Sequence, residues 1–130
     1  MLAGVSILVL EDDRDTSELF AGALRKQGGV IRTAASAEAA FDILATWLPD
    51  AILCDLHLPG VDGYAFVDRL RTIEACRMVP VIAISASHPA VERDRALDVG
   101  FAEYLTKPAR ISEVVAVVTR VIARHGPAAR

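Results

Sequence analysis

Short runs of small and apolar residues alternate along this chain with stretches whose apolar positions recur at helical spacing. Ser6–Leu10, Ala51–Asp55 and Val81–Ser85 are apolar almost throughout and give way to polar residues at or just after their ends. Such runs, too short for lone helices, predict strands buried on both faces, as in parallel sheets. Val30–Ala34 and Phe101–Leu105 are read as two further strands. The intervening helices are predicted from Thr16 to Gln27, from Ser36 to about Trp47, from Asp62 or Gly63 to Thr72, from Pro89 to Val99, and from Ser112 to about Arg124. Asp13 or Asp15 suits the first cap and Ser36 the second. Gly28-Gly29, Pro49 and Gly100 are the stops. Leu19, Phe20, Ala23 and Leu24 are expected to face inward from the first helix, Ala40, Phe41 and Leu44 from the second, and Phe66, Val67 and Leu70 from the third. The fourth is thin, with Val91, Ala96 and Leu97 scattered among charges.

Strand and helix alternate five times, with no internal repeat. That order predicts an α/β fold, a parallel sheet with right-handed crossovers and helices on both faces. In open parallel sheets, ligands bind beyond the carboxyl ends of the strands. Polar residues gather at that edge: Glu11, Asp12 and Asp13 after the first strand, Asp55 closing the third, Ser85 closing the fourth, and Lys107 after the fifth. Any one of them has a plain reading as a cap or a solvated loop residue. Together they describe a chemistry.

Neighbouring carboxylates repel and raise one another's pKa unless a cation intervenes. Mg²⁺, or Mn²⁺ in its place, accepts hard oxygen ligands and bridges to phosphate. Lysine supplies a compact positive charge for a phosphoryl oxygen, and a small hydroxyl can donate to another. A carboxylate such as Asp55 can act as nucleophile and form an acyl phosphate.

Composition narrows the alternatives. With 53% hydrophobic and 24% charged residues in 130, the chain can bury a core as one domain, about residues 5–124, with 125–130 a tail or the start of a linker. The net charge of −3 comes without a basic run, which argues against direct nucleic-acid binding. No uncharged stretch reaches the ~18–20 residues of a membrane span. The N-terminus lacks a secretory pattern. Two cysteines, Cys54 and Cys76, make neither a disulfide framework nor a zinc site, so a reducing cytoplasm is the expected setting.

The residues that gather at the sheet edge, in this order and at these separations, resemble the receiver domain of two-component response regulators over essentially the whole chain. The resemblance rests on Glu11-Asp12 after an Ile-Leu-Val-Leu strand, on Asp55 with Pro59-Gly60 and Gly63 downstream, on Ser85-Ala86, and on Tyr104 with Lys107-Pro108. It implies a flavodoxin-like sheet of order 2-1-3-4-5 and transfer of a phosphoryl group from a histidine kinase or histidine phosphotransfer protein onto Asp55. It also implies Mg²⁺ held by Asp12, Asp55 and the backbone carbonyl of His57, with Glu11 acting through water. Lys107 and Ser85 would assist at the phosphoryl group, Ser85 and Tyr104 would form a switch pair, and Lys107 would precede a cis Pro108. His57 and Ser87 would face the phosphoryl group and tune its hydrolysis. The protein is then a signalling switch rather than a turnover enzyme. Output would pass to a downstream protein or to its own dimer, through the face of the fourth helix, fifth strand and fifth helix.

Glu11 stands where many members carry aspartate. Two alternatives remain at this stage. One is an aspartyl-nucleophile phosphatase, for which Asp13-Arg14-Asp15-Thr16 would be the motif. The other is a receiver used only for docking. His88 and His125 are expected at the surface, and Trp47 as a packing residue at a helix end. The last helix carries Val114, Val117, Val118 and Val121 in one stripe and Ile111, Val115 and Ile122 in another, together spanning roughly 160°. Only ~100° is needed to cover a core, so the excess marks either a more buried helix or a partner contact. No output domain follows the last helix, so the chain is either a stand-alone regulator or a piece of a hybrid kinase or larger regulator.

Overall fold

A computed structural model describes residues 2–86 and 89–125. Its strands are β1 (Ser6–Leu10), β2 (Val30–Ala34), β3 (Ala51–Asp55), β4 (Val81–Ser85) and β5 (Glu103–Thr106), and its helices α1 (Arg14–Lys26), α2 (Ala37–Leu44), α3 (Gly63–Leu70), α4 (Pro89–Asp98) and α5 (Ile111–His125). All strand pairs are parallel and the order is β2-β1-β3-β4-β5, as the resemblance implied.

Successive side chains on a strand point to opposite faces, and this divides the core in two. Leu8, Leu10, Ile52, Cys54, Val81 and Ala83 pack under α2 and α3, against Ala40, Phe66, Val67 and Leu70, and this core also takes Ala96 of α4. Ile7, Val9, Leu53, Ile82 and Ile84 pack under α1 and α5, against Phe20, Leu24, Val114, Val118 and Val121. Burying each large side chain contributes roughly 1.5–3 kcal/mol, and nearly every position of β1, β3 and β4 is buried.

The strand limits follow the sequence reading except in β5, which starts at Glu103 rather than Phe101. Phe101 instead closes the end of α4, its N–H donating to the Ala96 carbonyl, while its ring stays buried. Helix limits shift more. α1 starts at Arg14 because Asp13 caps it, its carboxylate accepting from the Thr16 N–H at 3.0 Å. Its buried face is Ser17, Phe20, Ala21 and Leu24; Leu19 is 58% exposed and Ala23 only half-buried, contrary to expectation. α2 stops at Leu44 because the Thr46 N–H turns back to Ile43, so Trp47 lies past the helix, half-buried beneath the Arg32 guanidinium. α3 stops at Leu70, and Arg71 gathers the carbonyls of Cys76, Arg77 and Val79, fixing a loop with one 3₁₀ turn.

The second stripe of α5 takes the more buried of its two readings. Ile111, Val115 and Ile122 are half-buried on the α1 side of the sheet. Ile111 and Val115 line a groove with Leu19, Gly22 and Ala23 of α1. The extra width of that helix therefore faces α1, not the face shared with α4 and β5.

Candidate functional site

The register places the site. Leu10 pairs with Cys54, so Glu11 is level with Asp55; Asp55 pairs with Ile84; and Ser85 pairs with Thr106, one residue before Lys107. Four chain segments thus deliver their polar residues to one edge. A carboxylate oxygen from each of Glu11, Asp12 and Asp55 lies within 4.8 Å of the others. Asp12 is exposed, whereas Glu11 and Asp55 are 2% and 4% exposed.

Asp55 is held at both oxygens. Oδ1 accepts from the His57 backbone N–H at 2.9 Å, and Oδ2 from Lys107 Nζ at 3.1 Å. The same ammonium lies 2.7 Å from Glu11 Oε1, while Glu11 Oε2 accepts from the Asp13 N–H at 3.1 Å. Burial would lower the Lys107 pKa, but the hydrogen bonds to Glu11 and Asp55 outweigh it and hold it above its usual value. For Glu11 the balance is reversed. Burial pushes its carboxyl up, and Lys107 only partly offsets this.

Glu11 Oε1 is buried, and the Lys107 ammonium is its close partner. Three clustered acids with one ammonium among them suit a hard divalent cation by charge and by donor type. The donor set therefore fits the group that the sequence suggested. The glutamate at position 11 does more than lengthen a side chain, because it reaches Lys107 directly.

Close packing supports the loop after β3. A Cβ on Gly63 would lie 2.8 Å from Leu56 Cα and 3.0 Å from the Asp55 carbonyl oxygen, so only glycine lets α3 begin there. Gly60 sits at φ +80°, a conformation L side chains rarely adopt. Ser85 is fully buried, and its carbonyl accepts from the Lys107 N–H at 2.8 Å. The Lys107–Pro108 peptide is cis. Tyr104 pairs with Ala83 on the strand face that carries Ser85, half-buried against the core that also takes Ala96 of α4. Ser87 and His88 lie outside the described residues. His125, at the end of α5, is exposed.

The Asp13 carboxylate accepts from both the backbone and the hydroxyl of Thr16. That is a helix cap, and Asp13 is not part of the acid cluster. Sequence reasoning missed Glu92. It was read as one of the charges of a thin helix, yet it is 8% exposed, with the Tyr64 hydroxyl 2.9 Å from Oε2 and His57 Nε2 3.3 Å from Oε1. The one available signal was its spacing of one turn from Ala96, the helix's inward residue.

A doubly wound sheet with three acids, a buried hydroxyl and a lysine at its carboxyl edge defines the receiver class. The chain belongs to the response regulator receiver domain family, whose model matches residues 7–119. It is similar to an uncharacterised 14.6 kDa protein of Leptolyngbya boryana, 34% identical over 90% of this chain and 89% of that one. Similarity to the transcriptional regulatory protein TcrA of Mycobacterium tuberculosis is 35% identity over 99% of this chain but 50% of TcrA, so the chain spans about half of that relative. Among solved structures, the receiver domain of a histidine kinase from Syntrophus aciditrophicus superposes with a TM-score of 0.83 at 26% identity, covering 93% of this chain and 92% of that one. The chain is thus a two-component receiver domain, and among the described residues no helix is long and apolar enough to cross a membrane.

Proposed function

We propose that this receiver is a phosphoacceptor switch in which Asp55 takes a phosphoryl group from a phosphohistidine donor, a kinase or a phosphotransfer protein. The observation that carries this reading is the double restraint of Asp55, with His57 N–H on one oxygen and Lys107 on the other, beside Glu11 and Asp12.

A carboxylate oxygen of Asp55 attacks phosphorus while the phosphorus–nitrogen bond to the donor imidazole breaks. The electron pair leaves with that nitrogen, which then takes a proton. Such transfer depends mainly on positioning and on neutralising charge. Asp12, Asp55 and the His57 carbonyl, with Glu11 through water, would hold Mg²⁺ or Mn²⁺, which would supply charge neutralisation. Lys107 stays protonated and moves from its carboxylates to a phosphoryl oxygen. Ser85 turns its hydroxyl toward another, and Tyr104 follows it inward. Hydrolysis breaks the phosphorus–oxygen bond and restores Asp55, so the domain acts as a switch and not as a turnover enzyme.

Output passes through the face of α4, β5 and α5 to a protein target or a second copy, in a cytoplasmic setting. Incubation with acetyl phosphate and Mg²⁺ should label the wild type once, and Asp55→Asn should abolish the label. A label that survives in Asp55→Asn sinks the reading. Sustained release of phosphate from small esters would favour a phosphatase instead.

A further inference from the structure

Helix α4 is the element least fastened by apolar packing. Among its described side chains Ala96 alone is placed in the hydrophobic core, while Val91 is 73% and Leu97 39% exposed. It buries a carboxylate instead. An unpaired charge in such a place costs several kcal/mol, so the partners of Glu92 define what it does. The Tyr64 hydroxyl of α3 donates to Oε2 at 2.9 Å, and His57 Nε2 lies 3.3 Å from Oε1. One turn along, Arg95 lays its guanidinium 4.1 Å over the Tyr64 ring, and that ring meets Phe101 edge-on at 5.8 Å. Burial and the bond to Glu92 push the Tyr64 phenol up to about 12, so it remains a donor. His57 also touches the reacting group through its backbone, which donates to Asp55 Oδ1 at 2.9 Å.

We infer that Glu92 is a positioning residue: it ties the first half of α4 to the loop after β3 through His57 and Tyr64, and carries changes at Asp55 to α4 in addition to Ser85 and Tyr104. This rests on the reading of Asp55 as phosphoacceptor. A phosphoryl group on Asp55 changes what its oxygens can accept, and the His57 N–H must then lengthen or redirect its bond. The imidazole moves with its backbone. A displacement of about 1 Å at Nε2 is enough to take the 3.3 Å contact beyond hydrogen-bond range. Glu92 then follows His57 or loses a partner, and α4 has little apolar packing to resist. In the other direction, Glu92 holds the imidazole in place beside the phosphoryl group and so limits the approach of water.

Two measurements on the intact domain test this. Tyr64→Phe and Glu92→Ala should each speed hydrogen exchange of the α4 amides roughly tenfold in the unphosphorylated protein, as loss of a hydrogen bond to a charged group does. Exchange in α1 and α5 should stay unchanged. After labelling with acetyl phosphate, His57→Ala and Glu92→Ala should each speed loss of the phosphoryl group by about threefold or more, and the double variant no more than the larger single effect. Unchanged α4 exchange in Tyr64→Phe overturns the tie, and multiplying decay effects in the double variant overturn the coupling. If wild-type Asp55 takes no label, the phosphoacceptor reading fails and the coupling with it, whereas the exchange result still decides the tie.

Discussion

At the scale of single residues, the site is a balance between burial and charge. Glu11 and Asp55 are kept from water by the strand ends that carry them, and one ammonium serves both. Removing one partner of a buried pair leaves the other uncompensated. Lys107→Ala should therefore destabilise the metal-free protein by about 3 kcal/mol, and urea unfolding at neutral pH with and without Mg²⁺ measures how much a cation restores. Gly63 makes a second point. The 2.8 Å approach of its would-be Cβ to Leu56 Cα involves backbone on both sides. Gly63→Ala should cost roughly 1–3 kcal/mol, the usual cost of overpacking, measured by chemical denaturation.

At the scale of elements, caps and ties decide what apolar pattern leaves open. Asp13→Ala should cost about 1 kcal/mol through loss of the α1 cap. Labelling of Asp55 should survive in that variant, since Asp13 stands outside the acid cluster. Between β5 and α5, Glu103 meets Arg120 at 3.2 Å and Arg124 at 3.0 Å. The hydrogen bond from Arg120 leads in holding the Glu103 carboxyl below its ordinary value of 4.5. A depressed carboxyl pKa adds stability above the unfolded-state value, and that stability is lost as pH falls through the folded-state value. Glu103→Gln should thus lower stability at pH 7 by at most about 1 kcal/mol, and its difference from wild type should close as pH falls below the ordinary 4.5. Thermal unfolding across that range provides the check; a gap that widens on acidification contradicts the assignment.

At the scale of the whole molecule, the two core layers make a rigid frame whose loops meet at one edge. A cation bound there and not to the unfolded chain must stabilise the fold. At a hundred times its dissociation constant the gain is about 2.7 kcal/mol. Mg²⁺ should accordingly raise Tm in the wild type, and Asp12→Asn should remove most of the rise. If the α4, β5 and α5 face forms a dimer on phosphorylation, solution mass should grow with concentration when beryllofluoride and Mg²⁺ are present. A constant monomer mass would leave only a separate target protein for that face. The exposed Val91 and Leu97 give it some apolar area, whereas the extra stripe of α5 faces α1 instead.

The sequence by itself determined the order of elements, the parallel sheet and the edge at which chemistry gathers. Those depend on short-range pattern: apolar runs, caps such as Ser36, stops such as Gly28, and polar residues at strand ends. Asp12, Asp55, Ser85 and Lys107 were legible because a parallel sheet sends every strand's carboxyl end to the same side. What could not be read from the chain depended on contacts between elements distant in sequence. Leu19 looked inward by periodicity, but the sheet meets α1 along Ser17, Phe20, Ala21 and Leu24. The stripe of Ile111 and Val115 was visible, yet only packing assigned it to α1. Glu11 was legible as an acid, while its hold on Lys107 required the sheet order that brings the ends of β1, β3 and β5 to one edge. Glu92 was hidden most completely, because a charge on a helix reads as solvated until a tyrosine and a histidine from another part of the chain close over it. Tertiary structure decided that, and with it the question of what holds the segment beside Asp55.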